Sequence, residues 1–242
     1  MHQLVESLTD PADHLALDEA ALLSADAGEL PETIRVWEFE HPVVVVGRSS
    51  KVDFEVDRAY CQANSIRIMR RCSGGASIVG GPGCLMYSVV INLATKPELR
   101  RIDQAHVYVM NRVLAAIQHQ VSAATLQGTC DLTIDGCKFS GNSLRIARQH
   151  LLYHGTILYQ ANLDLLSDCL RNAPRQPKYR AGRGHRQFVK NIQVDPSGFS
   201  DRLFREFEVA TPSILQLPLS IEDKLRKLRT DRYDNDAWHF RH

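Results

Sequence analysis

No apolar run in this 242-residue chain approaches the roughly twenty residues that cross a bilayer, and the N-terminus lacks the basic-then-apolar pattern of a signal peptide. A membrane span and export are thereby set aside, and a cytoplasmic protein is expected. The six cysteines, Cys61, Cys72, Cys84, Cys130, Cys137 and Cys169, form no C-x-x-C pair and no Cys/His zinc spacing, so reduced thiols are the expectation. Neither sign of charge dominates. With 29 Lys and Arg against 28 Asp and Glu, the net charge of +1 gives no global attraction to nucleic acid or a membrane surface. Any anion site must therefore be local. Neither G-x-x-x-x-G-K-[ST] nor a G-x-G-x-x-G between strand and helix is present, which removes the common nucleotide loops. No repeat, low-complexity tract or Gly/Ser-rich linker divides the chain, so residues 1–242 read as one domain.

What the chain does have is a concentrated loop. Arg70-Arg71-Cys72-Ser73-Gly74-Gly75-Ala76-Ser77-Ile78 runs into a Gly80-Gly81-Pro82-Gly83 turn and then an apolar strand, Leu85 to Leu93. Glycines in such density let the backbone approach a ligand closely and turn N–H groups toward an anion. Arg70 and Arg71 add fixed positive charge suited to a carboxylate or phosphate. A Gly-rich hairpin flanked by surface arginines is the bland alternative.

Around that loop the elements are short and mixed. A capped helix begins at Asp10-Pro11, with Leu15, Ala16, Leu22 and Leu23 on one face and Asp18 and Glu19 as acids complementing the helix dipole. Strands are expected at Thr33–Phe39, Pro42–Arg48 and Ile66–Met69, with a short helix at 58–64. The clearest helix covers 103–121, with Val107, Met110, Val113, Leu114 and Ile117 as its apolar stripe. Asp135-Gly136 marks a hairpin between Asp131–Ile134 and Lys138–Ser143, and Leu151–Tyr159 forms a further strand. An Asn-capped helix is expected at 162–170. The basic, Pro/Gly-marked segment 174–190 reads as a mobile loop near an anion site. A helix at about 221–230 is followed by Tyr233 and Trp238, which dock back on the body. Mixed strands without regular strand–helix alternation predict an α+β fold.

Five segments, in order over about residues 10–160, resemble the lipoate–protein ligase family, which shares its catalytic domain with biotin–protein ligases and octanoyltransferases. Leu15-Ala16-Leu17-Asp18-Glu19 is similar to the family's L-A-x-E-E helix, and Gly47-Arg48 to its strand end. Arg70 to Gly75 resembles R-R-x-S-G-G-G. Asp131-Leu132 with Lys138-Phe139-Ser140-Gly141 resembles D-L…K-x-S-G, and His154-Gly155-Thr156-Ile157-Leu158 resembles H-G-T-L-L. Four departures stand out: Ala76 replaces the third glycine, Gly80 a common histidine, Cys84 a common asparagine, and Cys130 precedes Asp131 where ATP-using members often carry asparagine.

The resemblance implies a mixed, largely antiparallel sheet flanked by helices. It also implies activation of lipoate by ATP to lipoyl-adenylate, then transfer to a lysine of a lipoyl carrier domain. Lys138 is the implied catalytic residue, since the reaction joins two anions and a fixed cation there is worth about 10²–10³ in rate. Arg70, Arg71, Ser73, Gly74, Gly75, Ala76, Ser77, Ile78, Ser140, Gly141, His154, Gly155 and Thr156 are the implied binding residues. Asp131 is an implied Mg²⁺ ligand beside phosphate oxygens, and His154 is a base or a satisfied buried histidine. Leu17, Val45, Ile78 and Tyr87 either line the acyl tunnel or are plain core. No tightly bound cofactor, nucleic acid or membrane partner is expected. The chain leaves no room for an accessory C-terminal domain, so a separate accessory subunit is an expected possibility. Two alternatives stay open: a transferase passing octanoate or lipoate through a thioester on Cys130, without ATP, and a non-catalytic partner subunit of the same fold.

Overall fold

The computed structural model describes residues 1–209 and 214–242. Its strands in chain order are β1 (His2–Val5), β2 (Thr33–Glu38), β3 (Val43–Val46), β4 (Arg67–Arg70), β5 (Ile78–Gly80), β6 (Cys84–Asn92), β7 (Thr125–Gln127), β8 (Asp131–Ile134), β9 (Cys137–Ser140), β10 (Asn142–Ile146), β11 (His150–Leu158) and β12 (Ile214–Gln216). The helices are α1 (Pro11–Asp26), α2 (Val52–Glu55), α3 (Arg58–Ala63), α4 (Ile102–Gln118), α5 (Leu163–Cys169), α6 (His185–Phe188), α7 (Pro196–Glu206), α8 (Leu219–Leu228) and α9 (Asp236–His239). The α+β expectation holds.

A six-stranded sheet ordered β10-β11-β6-β2-β1-β12 carries the molecule; its first three pairings are antiparallel and the two involving β1 are parallel. Strands β6 and β11 are buried almost end to end, because both faces of the sheet are covered. Alternation along β6 sends Met86 and Val90 to a core shared with α1, and Leu85, Tyr87, Val89 and Ile91 to a core shared with α4 and α7. Burying two such layers is the main stabilising term.

Helix α1 is capped by Asp10, whose side chain accepts from the Ala12 N–H at 2.9 Å, and starts on Pro11. Its alanines let it sink so far that it is buried nearly all round rather than on one face. Asp18 and Glu19 accordingly do not serve the helix dipole in solvent: they lie in the third turn, at 2% and 0% exposure, inside ion pairs. In α4 the buried face centres on His106, Val109, Met110 and Val113, which leaves Val107 exposed beyond its edge.

Two small sheets flank the large one. In β4-β3-β5, Val46 lies opposite Arg70, so the turn after β3 and the loop after β4 leave side by side. In β7-β8-β9, Asp135 and Gly136 take φ of 52° and 69°, the paired positive values of a tight hairpin turn. The stretch 138–143 is not one strand; Gly141 breaks it and hands the chain from β9 to β10 in the large sheet. Segment 174–190 holds two short turns, Lys178–Arg180 and α6, and buries Arg180. At the C-terminal side α8 packs on α1, and Tyr233 is fully buried.

Candidate active site

The Arg70–Ala76 loop is held by its own arginines. Burial of both guanidiniums in carbonyl-lined sockets fixes the loop without any ligand. Arg70, fully buried, donates to the carbonyls of Gly47 (2.6 Å), Ser50 (2.8 Å) and His239 (2.7 Å), and the indole Nε1 of Trp238 donates back to the Arg70 carbonyl. Arg71 donates to the carbonyls of Val45, Gly74 and Ala76 and to the Ser73 hydroxyl. Burial pulls its pKa down to about 10, which leaves it charged at neutral pH. Gly75 has φ of +86°, and a Cβ on Gly47 would land on the Gly75 carbonyl, so the close pass of the two turns requires both glycines. Ala76 does not need to be glycine, because it is absent from the positive-φ residues. Gly80 leaves room for the Phe39 ring, which a side chain there would strike.

Behind the loop, β11 presents His154 to Asp18 of α1. Nδ1 lies 2.7 Å from Asp18 Oδ2, and Nε2 lies 2.5 Å from Ser73 Oγ. Burial would raise the Asp18 carboxyl, but the Arg35 charge and the His154 contact outweigh it and hold the pKa at about 2. An ionised Asp18 accepts from Nδ1–H, leaving Nε2 to accept from the Ser73 hydroxyl, which in turn accepts from Arg71 Nε. Arg35 completes the anchor, donating to Asp18 at 2.8 Å and to Glu6 at 2.7 Å. All of these side chains are buried, and nothing in the chain of contacts is left to reorganise.

On the facing hairpin, Lys138 Nζ pairs with Asp131 Oδ1 at 2.7 Å, while the Tyr179 hydroxyl donates to Asp131 Oδ2 at 2.7 Å. Lys138 keeps 27% of its side chain exposed, so its ammonium can meet a ligand. It borders two cavities. The inner one is apolar, with Leu15, Trp37, Val45, Ile78 and Met86, and reaches His154 and Arg71. The outer one combines Leu158, Leu170 and Phe188 with Glu55, Arg175 and Arg180. Lys138, Gly141, Thr156 and Ala76 to Ile78 line both.

The structure thus gathers Lys138, Arg71, Gly75, Ala76, Ser77, Ile78, Gly141, His154, Gly155 and Thr156 around the cavities, with Ser140 on the outer one and Val45 on the inner one. It does not bring in every expected residue. Arg70 faces the C-terminal carbonyls, Ser73 is buried behind His154, and Gly74 lies on a neighbouring groove. Leu17 and Tyr87 are core: Leu15 and Asp18 face the inner cavity one helical turn apart, and Met86 takes the cavity side of β6. Asp131 has both oxygens engaged, one by Lys138 and one by Tyr179; among the described residues no group of three or more His, Cys, Asp or Glu side chains could hold a metal by itself. Cys130 donates its thiol to the Asn142 carbonyl at 3.2 Å, and burial with the Asp131 charge pushes its pKa to about 11. Burial pushes Cys72, Cys84 and Cys169 to about 12.

Local sequence gave no warning of several participants. Trp37 and Met86 read as ordinary strand residues, and Tyr179 as part of a charged loop. Glu19 gathers Arg145 (2.5 Å), Arg232 and the Tyr233 hydroxyl (2.8 Å) from two distant stretches. Only the alternation of strand β2 carried a hint, placing Arg35 and Trp37 on one face beside the cavity.

The profile described as the lipoyl protein ligase A/B catalytic domain matches residues 10–208. Lipoate–protein ligase 1 of Staphylococcus aureus is 26% identical over 97% of this chain and 71% of its own length. Octanoyltransferase LipM of Oceanobacillus iheyensis is 27% identical over 87% of this chain and 83% of its own. In fold, the chain is similar to a solved lipoate–protein ligase A bound with ATP, at a TM-score of 0.82 and 21% identity over 99% of this chain and 98% of that one. The bipartite lipoate protein ligase of Thermoplasma acidophilum superposes with a TM-score of 0.81 and 23% identity, over 99% of this chain and 95% of that one.

Proposed function

Since the chain belongs to the lipoyl protein ligase A/B catalytic-domain family, we propose that it is an ATP-dependent lipoate–protein ligase. It activates lipoate to lipoyl-AMP and passes the acyl group to a lysine of a lipoyl carrier domain. The observation that carries this reading is the meeting of an apolar inner cavity and a polar-rimmed outer cavity at one ammonium, Lys138. An acyl tail occupies the inner cavity and a nucleotide the outer one, so carboxylate and α-phosphate come together beside Lys138.

A carboxylate oxygen of lipoate attacks the α-phosphorus, the bond from that phosphorus to the α,β-bridging oxygen breaks, and pyrophosphate leaves with that oxygen. Both reactants are anionic, and the transition state crowds more negative charge onto the α-phosphate. Lys138 offsets it, trading its contact with Asp131 for the phosphate oxygen at little cost in distance. Arg71 and the His154 network keep the loop wall rigid, so the two ligands meet without reorganisation. In the second half-reaction the carrier amine attacks the acyl carbon and AMP departs. Before ligands bind, Asp131 is engaged by Lys138 and Tyr179; once Lys138 turns to the phosphate, its Oδ1 is released, and a Mg²⁺ ion arriving with ATP would share the phosphate charge there.

The relatives named octanoyltransferase support a thioester route as the second reading. Against it, a thiol at about 11 supplies almost no thiolate at neutral pH. The test combines protein, ATP, Mg²⁺, lipoate and an apo lipoyl domain and weighs the products. Lipoyl domain gaining lipoate only with ATP supports the ligase. Octanoylation from a carrier-protein thioester without ATP overturns it.

A further inference from the structure

Glu55, the last residue of α2, lines the outer cavity and the groove beside it, at 7% exposure. It forms no ion pair among the described residues. Arg171, whose backbone N–H donates to the Glu55 carbonyl at 2.9 Å, directs its guanidinium to the Asp53 carbonyl at 3.0 Å and to Asp57 at 3.7 Å. Both described hydrogen bonds to the Glu55 carboxylate arrive at Oε2, from the Ser77 N–H at 2.8 Å and the Ser77 hydroxyl at 2.7 Å. The charges of Arg70 and Arg71 reach Glu55 only from beyond ion-pair distance, and a buried carboxylate is costly unless its oxygens also accept hydrogen bonds. Capping Ser77 accounts for Oε2 and not for Oε1.

The same cavity has an apolar wall that includes Leu166, Leu170 and Phe188. A flat heterocycle against that wall with an N–H edge toward Glu55 satisfies both surfaces. We infer that Glu55 is the base-reading residue of the outer cavity, accepting a hydrogen bond from the exocyclic 6-amino group of adenine. The inference rests on the outer cavity being the nucleotide site. It goes further by assigning the specificity for adenine to one side chain. A carboxylate offers only acceptors, so the 6-oxo group of hypoxanthine meets repulsion there. Ser77 keeps the carboxylate in place through two bonds, and it joins the base end of the cavity to the wall that Lys138 shares.

Calorimetric titration of the full-length protein with ATP, ITP and purine riboside triphosphate, in the absence of lipoate, tests this. Wild type should bind ATP roughly ten- to hundredfold more tightly than ITP, with the 6-unsubstituted purine in between. Glu55→Gln keeps an acceptor for Ser77 and adds an amide donor that suits a 6-oxo group. Its ATP-to-ITP ratio should fall to within about threefold. The same ratio in variant and wild type overturns the inference, as does a wild-type preference for ITP. Wild-type affinities that ignore the 6-substituent overturn it without any variant. Binding of ATP by wild type reports the nucleotide site separately: its absence overturns that reading and this inference together. A normal ATP affinity with no base preference overturns only the role of Glu55.

Discussion

Two carboxylates, Asp18 and Asp131, each hold a Lys or Arg cation and one further hydrogen-bond partner, yet they sit in opposite surroundings. Asp18 pairs with Arg35 and His154 at 2% exposure, with every neighbour buried. Asp131 pairs with Lys138 and Tyr179 on a hairpin where the lysine is 27% exposed. The first pairing is locked, because separating it strands buried charge in a medium of low polarity. The second can open, because an incoming anion can take the place of Asp131 at the ammonium. One network fixes geometry, and the proposed adenylation asks the other to exchange partners.

Breaking the locked network should have the largest effect. Asp18→Ala leaves Arg35 without its main buried partner and should cost about 3–5 kcal/mol of stability, read from urea unfolding. A change under about 1 kcal/mol would show that the network is not locked. Next, Lys138→Ala should lower adenylate formation about a hundredfold or more while the urea midpoint moves little, since the side chain is partly exposed. Wild-type adenylate yield in this variant would remove Lys138 from the chemistry.

A pH series sharpens the comparison further. His14, stacked on Trp37 beside Arg35, is driven to a pKa of about 4 by burial and then by the Arg35 charge. The unfolded chain takes up a proton near pH 6.5 that the folded chain refuses until about 4. Stability is therefore full above pH 6.5 and falls as the pH drops to 4, by about 3 kcal/mol from this residue. Burial shifts His106, His185 and His239 the same way. The midpoint in urea should decline over that window, and His14→Gln should flatten the decline. A midpoint unchanged from pH 7 to 4.5 would contradict it. The smallest effect is expected at Cys130→Ser, which should keep ATP-dependent lipoylation within about threefold, since the adenylate needs no enzyme nucleophile. A hydroxylamine-labile octanoyl adduct on Cys130, formed from a carrier thioester without ATP, would reverse the assignment.

The exchangeable network was more legible in the sequence than the locked one. Lys138 and Asp131 lie seven positions apart across an Asp-Gly turn, and local pattern alone brings them together. Asp18 meets His154 across 136 positions, and Glu19 meets Arg232 across 213. Such pairings leave no periodic trace, so both acids looked like ordinary helix acids. The two adjacent arginines looked equivalent for the same reason: what separates them is the C-terminal segment that covers Arg70. Fold class was readable from short mixed strands, whereas the split of 138–143 at Gly141 depends on which sheet each half joins. Glu55 carried no local signal, because its partner Ser77 is 22 positions away and its other neighbours arrive with the segment after α5.

Arg70 is enclosed by the carbonyls of Trp238 and His239, and Arg241 reaches the Arg48 carbonyl. During synthesis the chain grows from the N-terminus at about 5–20 residues per second. The glycine loop is therefore made long before the residues that clamp it. A nascent chain that has not yet released residues 238–241 from the ribosome holds a buried guanidinium half-served and a loop free to wander. The order of the glycine loop thus waits on residues made 168 and 169 positions after Arg70.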